Sequence, residues 1–442
     1  MGNEPGPFFP FGCLRIAQRA DTLPPMSLGP LTSCQTCGNR DLKSVIFLGY
    51  LPPVNILRKI GSPHGGEPWF PAEMLHCSKC HLIQLGFAAD PNILFPPEYP
   101  YTSGTTRVLR ENFADLYRES KEMIGLKPED LVVDIGSNDG TLLKNFADGG
   151  HRVLGVEPSL TAKLAEEKGV KTMMAFFGTK ATDEILKREG QATLVTAANV
   201  FAHIPDVNGV VENIIRLIGD DGVFINESHY AADLIHTVQY DTIYHEHLRY
   251  YSVLSLKYLL ESHGLTVFHV RRIPSHGGSV RMYASKSSAF PVRDSVQKMI
   301  AEERALGLGD GGWIAPFRGK ILLSKLHLYG ILSKLRGDGA RIFGIGAPSR
   351  ASTLVNYVGI DDGIMEAVME VKGSKKIGMY MPGRNIPILD EAKLYDEQPP
   401  YALLLSWHIG PELMKNLKKR GYRGDFLIPL PTPSIIPNGS VS

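Results

Sequence analysis

An excess of charge of either sign is the first thing this chain lacks. Its 442 residues carry 47 Lys plus Arg against 46 Asp plus Glu, a net charge of +1 at pH 7. Without a basic surplus there is no long-range field to gather nucleic acid or an anionic membrane, and neither is expected as a partner. Long apolar runs are missing as well, since none approaches the roughly 18 uninterrupted residues of a membrane span. Residues 1–30 hold no apolar stretch flanked by basic residues, so they do not read as a secretory leader. Gly6 stands where a myristoylation pattern has Ser or Thr. With 43% hydrophobic and 21% charged residues, the composition excludes a disordered chain. A cytoplasmic protein acting on a small molecule is the expected class, as a monomer or a weak homo-oligomer.

Cysteine is scarce too, yet four of the five fall in two tight pairs, Cys34-Gln-Thr-Cys37 and Cys77-Ser-Lys-Cys80. In a reducing compartment such pairs point to metal before a disulfide. Each turn aims two thiolates at one ion, two turns complete a tetrahedral set, and four thiolates leave no open position. One structural zinc per chain is expected on Cys34, Cys37, Cys77 and Cys80. A redox dithiol fits less well, because neither pair opens a helix after a strand. Cys13 stands outside the pattern.

At about 150 residues per domain, the length allows two or three domains. Five regions are expected: a loosely ordered extension over 1–30, a zinc-binding domain over 31–105, an α/β domain over 106–290, a helical connection over 291–336 and a second α/β domain over 337–436. In 106–290 short apolar runs alternate with helical patterns, at Leu131–Ile135, Val153–Glu157, Ala192–Thr196 and Gly222–Asn226. That alternation implies a parallel sheet with helical crossovers. The runs Thr266–Val270 and Ser279–Tyr283 have no helix between them and predict an antiparallel hairpin at one edge.

Between the first strand and its helix lies Asp134-Ile-Gly136-Ser-Asn138-Asp139-Gly140. Glycines there let the backbone approach a ligand, and the helix start offers free N–H groups. Glu157 follows Gly136 by 21 residues and ends the second strand, where a carboxylate can accept both hydroxyls of a ribose. A dinucleotide site is the competing reading, but the G-x-G-x-x-G spacing is absent. The spacing resembles the first motif of S-adenosylmethionine-dependent methyltransferases. Asn199 and Phe201, at the end of the third strand, are candidates to touch the methionine part of that cofactor. His203 is either a further site residue or a capping or core histidine.

Over nearly its whole length from residue 31 the sequence resembles the zinc-binding, S-adenosylmethionine-dependent sugar C-methyltransferases that act on nucleotide-linked 4-keto-deoxysugars. The resemblance rests on the cysteine pairs, the Asp134–Gly140 turn, Glu98–Gly104, Asn199–Asp206, Asp241–Ser252, His276–Arg281, Gly344–Thr353 and Lys376–Ile388. It implies a Rossmann-like methyltransferase domain between an N-terminal zinc domain and a C-terminal Rossmann-like α/β domain. It also implies C-methylation, with C3 the expected acceptor, by removal of a proton beside the ketone and methyl transfer to the enolate. By the same resemblance His247 is the base, with Tyr244, Glu246 and His203 beside it and Tyr99 or Tyr101 closing over the site. Ser349, Arg350, Thr353 and Lys376 match positions expected to hold the nucleotide sugar. Here the sequence departs from the family it resembles, with Ser349-Arg350-Ala351-Ser352 in place of Ala-Lys-Gly-Asn and Trp407-His408 in place of Trp-Asn. Arg350 keeps the charge but offers a planar fork instead of a point. The competing functions are O- or N-methylation of a related substrate, and a zinc-ribbon nucleic-acid binder that the balanced charge disfavours.

Overall fold

The structure is a computed structural model and describes residues 28–63, 65–95 and 103–441. Tyr99, Tyr101 and Cys13 lie outside the described residues, as does nearly all of the expected extension. Among the described residues no helix is long and apolar enough to cross a membrane.

Three main sheets organise the molecule. In the first, β1 (Leu42–Leu51), β2 (Phe70–Cys77) and β3 (Ile83–Leu85) pair antiparallel, and the distant strand Arg249–Tyr250 adds to the free edge of β3. Helix α1 (Arg107–Ile124) stops at Gly125, whose left-handed conformation closes the last turn. It leads into β4 (Leu131–Ile135), helix α2 (Thr141–Asp148), β5 (Arg152–Val156), β6 (Thr172–Met173), β7 (Ala192–Ala198), β8 (Ile218–His229), β9 (Thr266–Ile273) and β10 (Ser279–Ser285). These seven strands form one sheet in the order β9-β10-β8-β7-β4-β5-β6. Only β10 runs against its neighbours, so the expected hairpin is present with β10 tucked inside β9. All five residues of β4 are buried, as a central parallel strand covered on both faces requires. The backbone leaves β4 for β5 on one side and returns to β7 on the other. Ligands bind beyond the strand ends at such a reversal.

Helices α3 (Asp294–Ala305) and α4 (Ile314–Gly337) flank the Gly307–Gly312 run. The last sheet holds β11 (Ile342–Ile345), β12 (Ala367–Glu370), β13 (Ile388–Asp390), β14 (Tyr401–Leu404), β15 (Asp425–Ile428) and β16 (Ser434–Ile436), in the order β13-β12-β11-β14-β15-β16. Helix α5 (Ser349–Val358) follows β11.

Packing ties these parts together. Helix α4 buries Phe317, Ile321, Leu328, Leu332 and Leu335 at helical spacing. That stripe shares one core with Val45, Ile46 and Leu48 of β1 and with Leu354, Val355 and Val358 of α5. At about 1.5–3 kcal/mol per fully buried large apolar side chain, this core fixes the N-terminal sheet against the C-terminal domain. The cysteines belong to another core, in which Cys34, Cys77, Cys80 and Leu82 pack with Phe201, Val207 and Tyr251.

Candidate active site and metal centre

The Sγ atoms of Cys34, Cys37, Cys77 and Cys80 all lie within 4.8 Å of one another. Cys34 and Cys80 approach to 3.4 Å, Cys37 and Cys77 to 3.6 Å. A tetrahedron with Zn–S bonds of about 2.3 Å has edges of about 3.8 Å, whereas a disulfide needs about 2.0 Å. The four thiols therefore fit a zinc ion and no S–S bond. Gly38, with φ +69°, gives the first knuckle its tight turn. Asn39 Nδ2 donates to Cys77 Sγ at 3.6 Å and to Ser78 Oγ at 3.2 Å, lacing the two knuckles together.

The cofactor cradle forms where β4 enters α2. Gly136 and Gly140 both take positive φ. A Cβ on Gly136 would meet Val200 Cγ2 at 2.4 Å, so only glycine lets the backbone pass. Glu157 accepts from the backbone N–H of Asn138 at 3.0 Å and of Ser159 at 2.9 Å. Each oxygen keeps a second lone pair, and this pair of acceptors fits the two hydroxyls of a ribose diol. Asp134 is buried and accepts from the Thr196 hydroxyl at 2.6 Å; burial pushes its carboxyl up to about 7. Asp139 is committed elsewhere. It takes Lys168 Nζ at 2.8 Å, the Gly104 N–H at 3.1 Å and the Thr141 hydroxyl at 2.7 Å, fastening the start of α2 to the segment before α1. Asn138 Oδ1 likewise accepts the Ser103 N–H at 2.8 Å.

Phe201, expected near the methionine part of the cofactor, packs into the core. It is fully buried, stacked on Phe224 at 5.4 Å and beside Tyr251. The cause is the left-handed Asn199, with φ +59°, which breaks the strand alternation after β7. Val200 therefore meets the glycine turn and Phe201 turns into the core. Asn199 itself stays at the strand end, its N–H donating to Glu227 O at 2.6 Å.

On the same side of the sheet, His203, Tyr244, Glu246 and His247 come together. The rings of His203 and His247 lie 5.1 Å apart, and those of Tyr244 and His247 lie 4.1 Å apart. His247 Nδ1 is 3.0 Å from Thr242 O and His203 Nδ1 is 2.7 Å from Glu246 O. A carbonyl only accepts, so each Nδ1 carries the proton and each Nε2 carries a lone pair. Burial pulls both imidazoles below their usual pKa, and their mutual repulsion lowers His247 further. Both are neutral at pH 7. Burial also drives Tyr244 well above its ordinary value, so its hydroxyl stays a proton donor. Glu246 accepts from Asn55 Nδ2 at 2.7 Å, and Asn55 in turn accepts from the Ser349 hydroxyl at 3.1 Å. Asn55 is a site residue that sequence reasoning misses. Its one signal is a lone amide in the Pro-rich apolar stretch Leu51–Ile56.

Two residues expected at the substrate, Arg350 and Thr353, hold this loop. Arg350 places Nε 2.7 Å from Asp241 Oδ2 and Nη2 2.7 Å from Asp241 Oδ1, and Nη2 also reaches Gln239 at 3.0 Å. Its guanidinium stacks over Trp407, whose Nε1 donates to the same Asp241 at 2.7 Å. Thr353 is buried and donates to Ile243 O at 3.2 Å. Nε and Nη2 of Arg350 are thus spent on Asp241 and Gln239. Lys376 Nζ donates to Ala347 O at 2.6 Å; burial pulls its ammonium below the usual value, and the charges of Glu370 and Glu246 partly oppose that.

Known proteins align with this arrangement. Residues 34–95 match a zinc binding domain family, 106–270 a methyltransferase domain family and 274–431 the C-methyltransferase C-terminal domain family. The C-methyltransferase NovU of Streptomyces niveus is 34% identical over 410 residues, 92% of this chain and 97% of that protein. Among solved structures, the magnesium protoporphyrin IX methyltransferase of Synechocystis PCC 6803 overlaps 40% of this chain and 79% of its own, at 16% identity and TM-score 0.32. A methyltransferase from Clostridium acetobutylicum ATCC 824 overlaps 40% and 91%, at 15% identity and TM-score 0.33. The three domain matches and the end-to-end likeness to NovU show that this chain belongs to the zinc-binding, S-adenosylmethionine-dependent C-methyltransferases.

Proposed function

We propose that this enzyme transfers a methyl group to C3 of a nucleotide-linked 4-keto-deoxysugar, beside the ketone, with Nε2 of His247 as the base. The observation that carries this reading is the fixed tautomer: Nδ1–H of His247 is spent on Thr242 O, leaving a neutral, lone-pair-bearing Nε2 beside the Tyr244 ring. Removing a carbon-bound proton needs such a base and a donor for the oxyanion that develops. Tyr244 supplies the donor, because its hydroxyl stays protonated. His203 presents a second Nε2 beside the first, suited to relay the proton away. Glu246, oriented by Asn55, is suited to accept from a sugar hydroxyl. S-adenosylmethionine, when bound at Gly136–Gly140 and Glu157, supplies the electrophilic methyl group. On the other wall, Ser349 and Lys376 stand beside the β11 turn Gly344–Ala347, an arrangement suited to the nucleotide's phosphates.

The test is incubation of the enzyme and S-adenosylmethionine with a panel of nucleotide-linked sugars, with and without the 4-keto group, followed by mass spectrometry and NMR. A new carbon–methyl signal confined to keto sugars is expected. An O- or N-methyl product, or equal turnover of sugars without the ketone, would replace the reading with simple heteroatom methylation.

A further inference from the structure

Arg249 is a charge without an ion pair. Its side chain is 1% exposed, and Nη1 and Nη2 donate to the carbonyls of Phe201, Ile204 and Pro205 at 3.3, 2.5 and 2.7 Å. Nε has no partner, and among the described residues no carboxylate comes within 4.0 Å. Arg281, equally buried, shows what this fold otherwise does with such a group. It sits 3.0 Å from Glu227 and 2.5 Å from Glu119. A buried guanidinium offset only by carbonyl dipoles is costly unless opposite charge lies near.

The cysteine centre supplies that charge. Four thiolates around Zn²⁺ carry a net charge of −2, and Cys34, Cys77 and Cys80 are all buried. Strand β3 begins three residues after Cys80 and pairs with Arg249–Tyr250, setting Gln84 opposite Arg249. The Gln84 amide bonds Ser33 O and the Gln35 N–H, the residues on either side of Cys34. Gln35 Nε2 in turn donates to Leu248 O, next to Arg249. Beyond the loop that Arg249 holds, Asn208 donates to the carbonyls of Gln35 and Thr36. The first knuckle thus touches both the strand that carries Arg249 and the helix that follows its loop. Burial pulls the Arg249 guanidinium below its ordinary value, and Tyr251, Cys34 and Asp206 oppose that pull.

From this geometry we infer that Arg249 is the buried counter-charge of the tetrathiolate zinc centre and the positioning residue that couples the metal to the loop carrying His203. Zinc then does more than fold the N-terminal domain. Its excess negative charge holds a guanidinium whose three hydrogen bonds set the Phe201–Pro205 backbone, and with it the His203 ring. The zinc half of this inference stands apart from the proposed reaction, whereas the His203 half rests on it.

The test uses the full-length, zinc-loaded protein and two variants, Arg249→Met and Arg249→Lys. The readouts are the rate of zinc transfer to a chromophoric chelator under native conditions, the urea midpoint, and the imidazole NMR signals of His203. Arg249→Met removes the charge and is expected to release zinc about 10–100-fold faster, the range for outer-shell partners of a metal site. Arg249→Lys keeps the charge without the fork, and is expected to retain zinc at a rate near wild type while the His203 signals shift. If Arg249→Met does not fold, the lysine variant decides alone: zinc loss there as fast as after mild unfolding overturns the counter-charge role. Release that accelerates only as far as the lower urea midpoint accounts for overturns it as well. His203→Ala that methylates normally would remove His203 from the proposed reaction, and full activity of His247→Ala as well would sink that reaction, while either leaves the zinc-release result standing, so the two failures are distinguishable.

Discussion

Arg350 of the C-terminal domain grips Asp241 of the loop before His247 through two 2.7 Å hydrogen bonds, with neither side chain open to solvent. The loop that carries the proposed base is therefore held from outside its own domain. Removing one partner of a buried pair leaves an uncompensated charge and costs about 3–5 kcal/mol. Arg350→Met is expected to lower the urea unfolding free energy by that amount. Arg350→Lys should recover only part of it, because an ammonium cannot bridge both oxygens. Unchanged stability with only a raised KM for the nucleotide sugar would return Arg350 to the substrate side.

Glu157 should show its role in cofactor affinity. Its two oxygens already take the N–H groups of Asn138 and Ser159, so the ribose would meet a preformed acceptor. A hydrogen bond to a charged group contributes about 1.5–3 kcal/mol. Calorimetry with S-adenosylhomocysteine is expected to show Glu157→Ala binding roughly ten- to hundredfold more weakly. Glu157→Gln, which keeps one acceptor and the shape, should fall between. Wild-type affinity in both variants would move the ribose elsewhere.

Much of the α/β core is legible in the sequence because its signal is local. Leu131–Ile135 is a short apolar run ending at glycine, and the structure starts and stops β4 at those residues. The glycine turn, the carboxylate after β5 and the two knuckles are fixed by spacing in the same way. What stays hidden depends on contacts between distant segments. The strand Arg249–Tyr250 pairs with Gln84 and Ile83, and two residues are too few to show any periodicity. Arg350 resembles a phosphate ligand because its turn does; only folding reveals that Asp241 waits opposite. Phe201 lies one residue away from the position that meets Gly136, since a single left-handed Asn199 flips which side chain faces the turn. Asn55 stands out in the sequence only as a lone amide in an apolar stretch, which does not name Glu246 as its partner.

Acid should destabilise this fold. Burial holds His229 down to about 3, His245 to about 4 and His408 to about 3, and it lowers His203 and His247 too. An unfolded histidine titrates near 6.5, so the unfolded state takes up these protons first. The contribution of each is whole above about pH 6.5 and is lost as pH falls toward the folded pKa, by at most about 1.4 kcal/mol per pH unit per group. Asp134 and Glu303 act oppositely, since burial pushes both up to about 7 and their folded forms hold protons more tightly. These histidines, with His76 and His276 also held down to about 4 by burial, outweigh the two carboxyls. Urea midpoints should dip slightly from pH 7 to 8, as Asp134 and Glu303 lose their last protons, and fall steadily below about 6.5. A stability maximum near pH 5 would contradict these assignments.

The last prediction separates His247 from its neighbours. If Nε2 of His247 takes the proton from carbon, His247→Ala should slow methylation by roughly 10² to 10⁴, the usual contribution of a positioned base. Affinity for both ligands should change little, because the interaction strengthens mainly in the transition state. Wild-type enzyme should also exchange the hydrogen beside the ketone with heavy water when S-adenosylhomocysteine replaces the methyl donor, and His247→Ala should not. Because the base works unprotonated and its pKa lies below 6.5, kcat/KM should be flat through neutrality and fall only on the acid side. Tyr244→Phe loses one donor to the enolate and should slow turnover less than His247→Ala does. The two histidines present equivalent lone pairs, so the order of their effects assigns the base. Loss of exchange in His203→Ala with exchange retained in His247→Ala would hand the role to His203, across only 5.1 Å between rings. Full activity in all three variants would mean that this cluster serves packing alone.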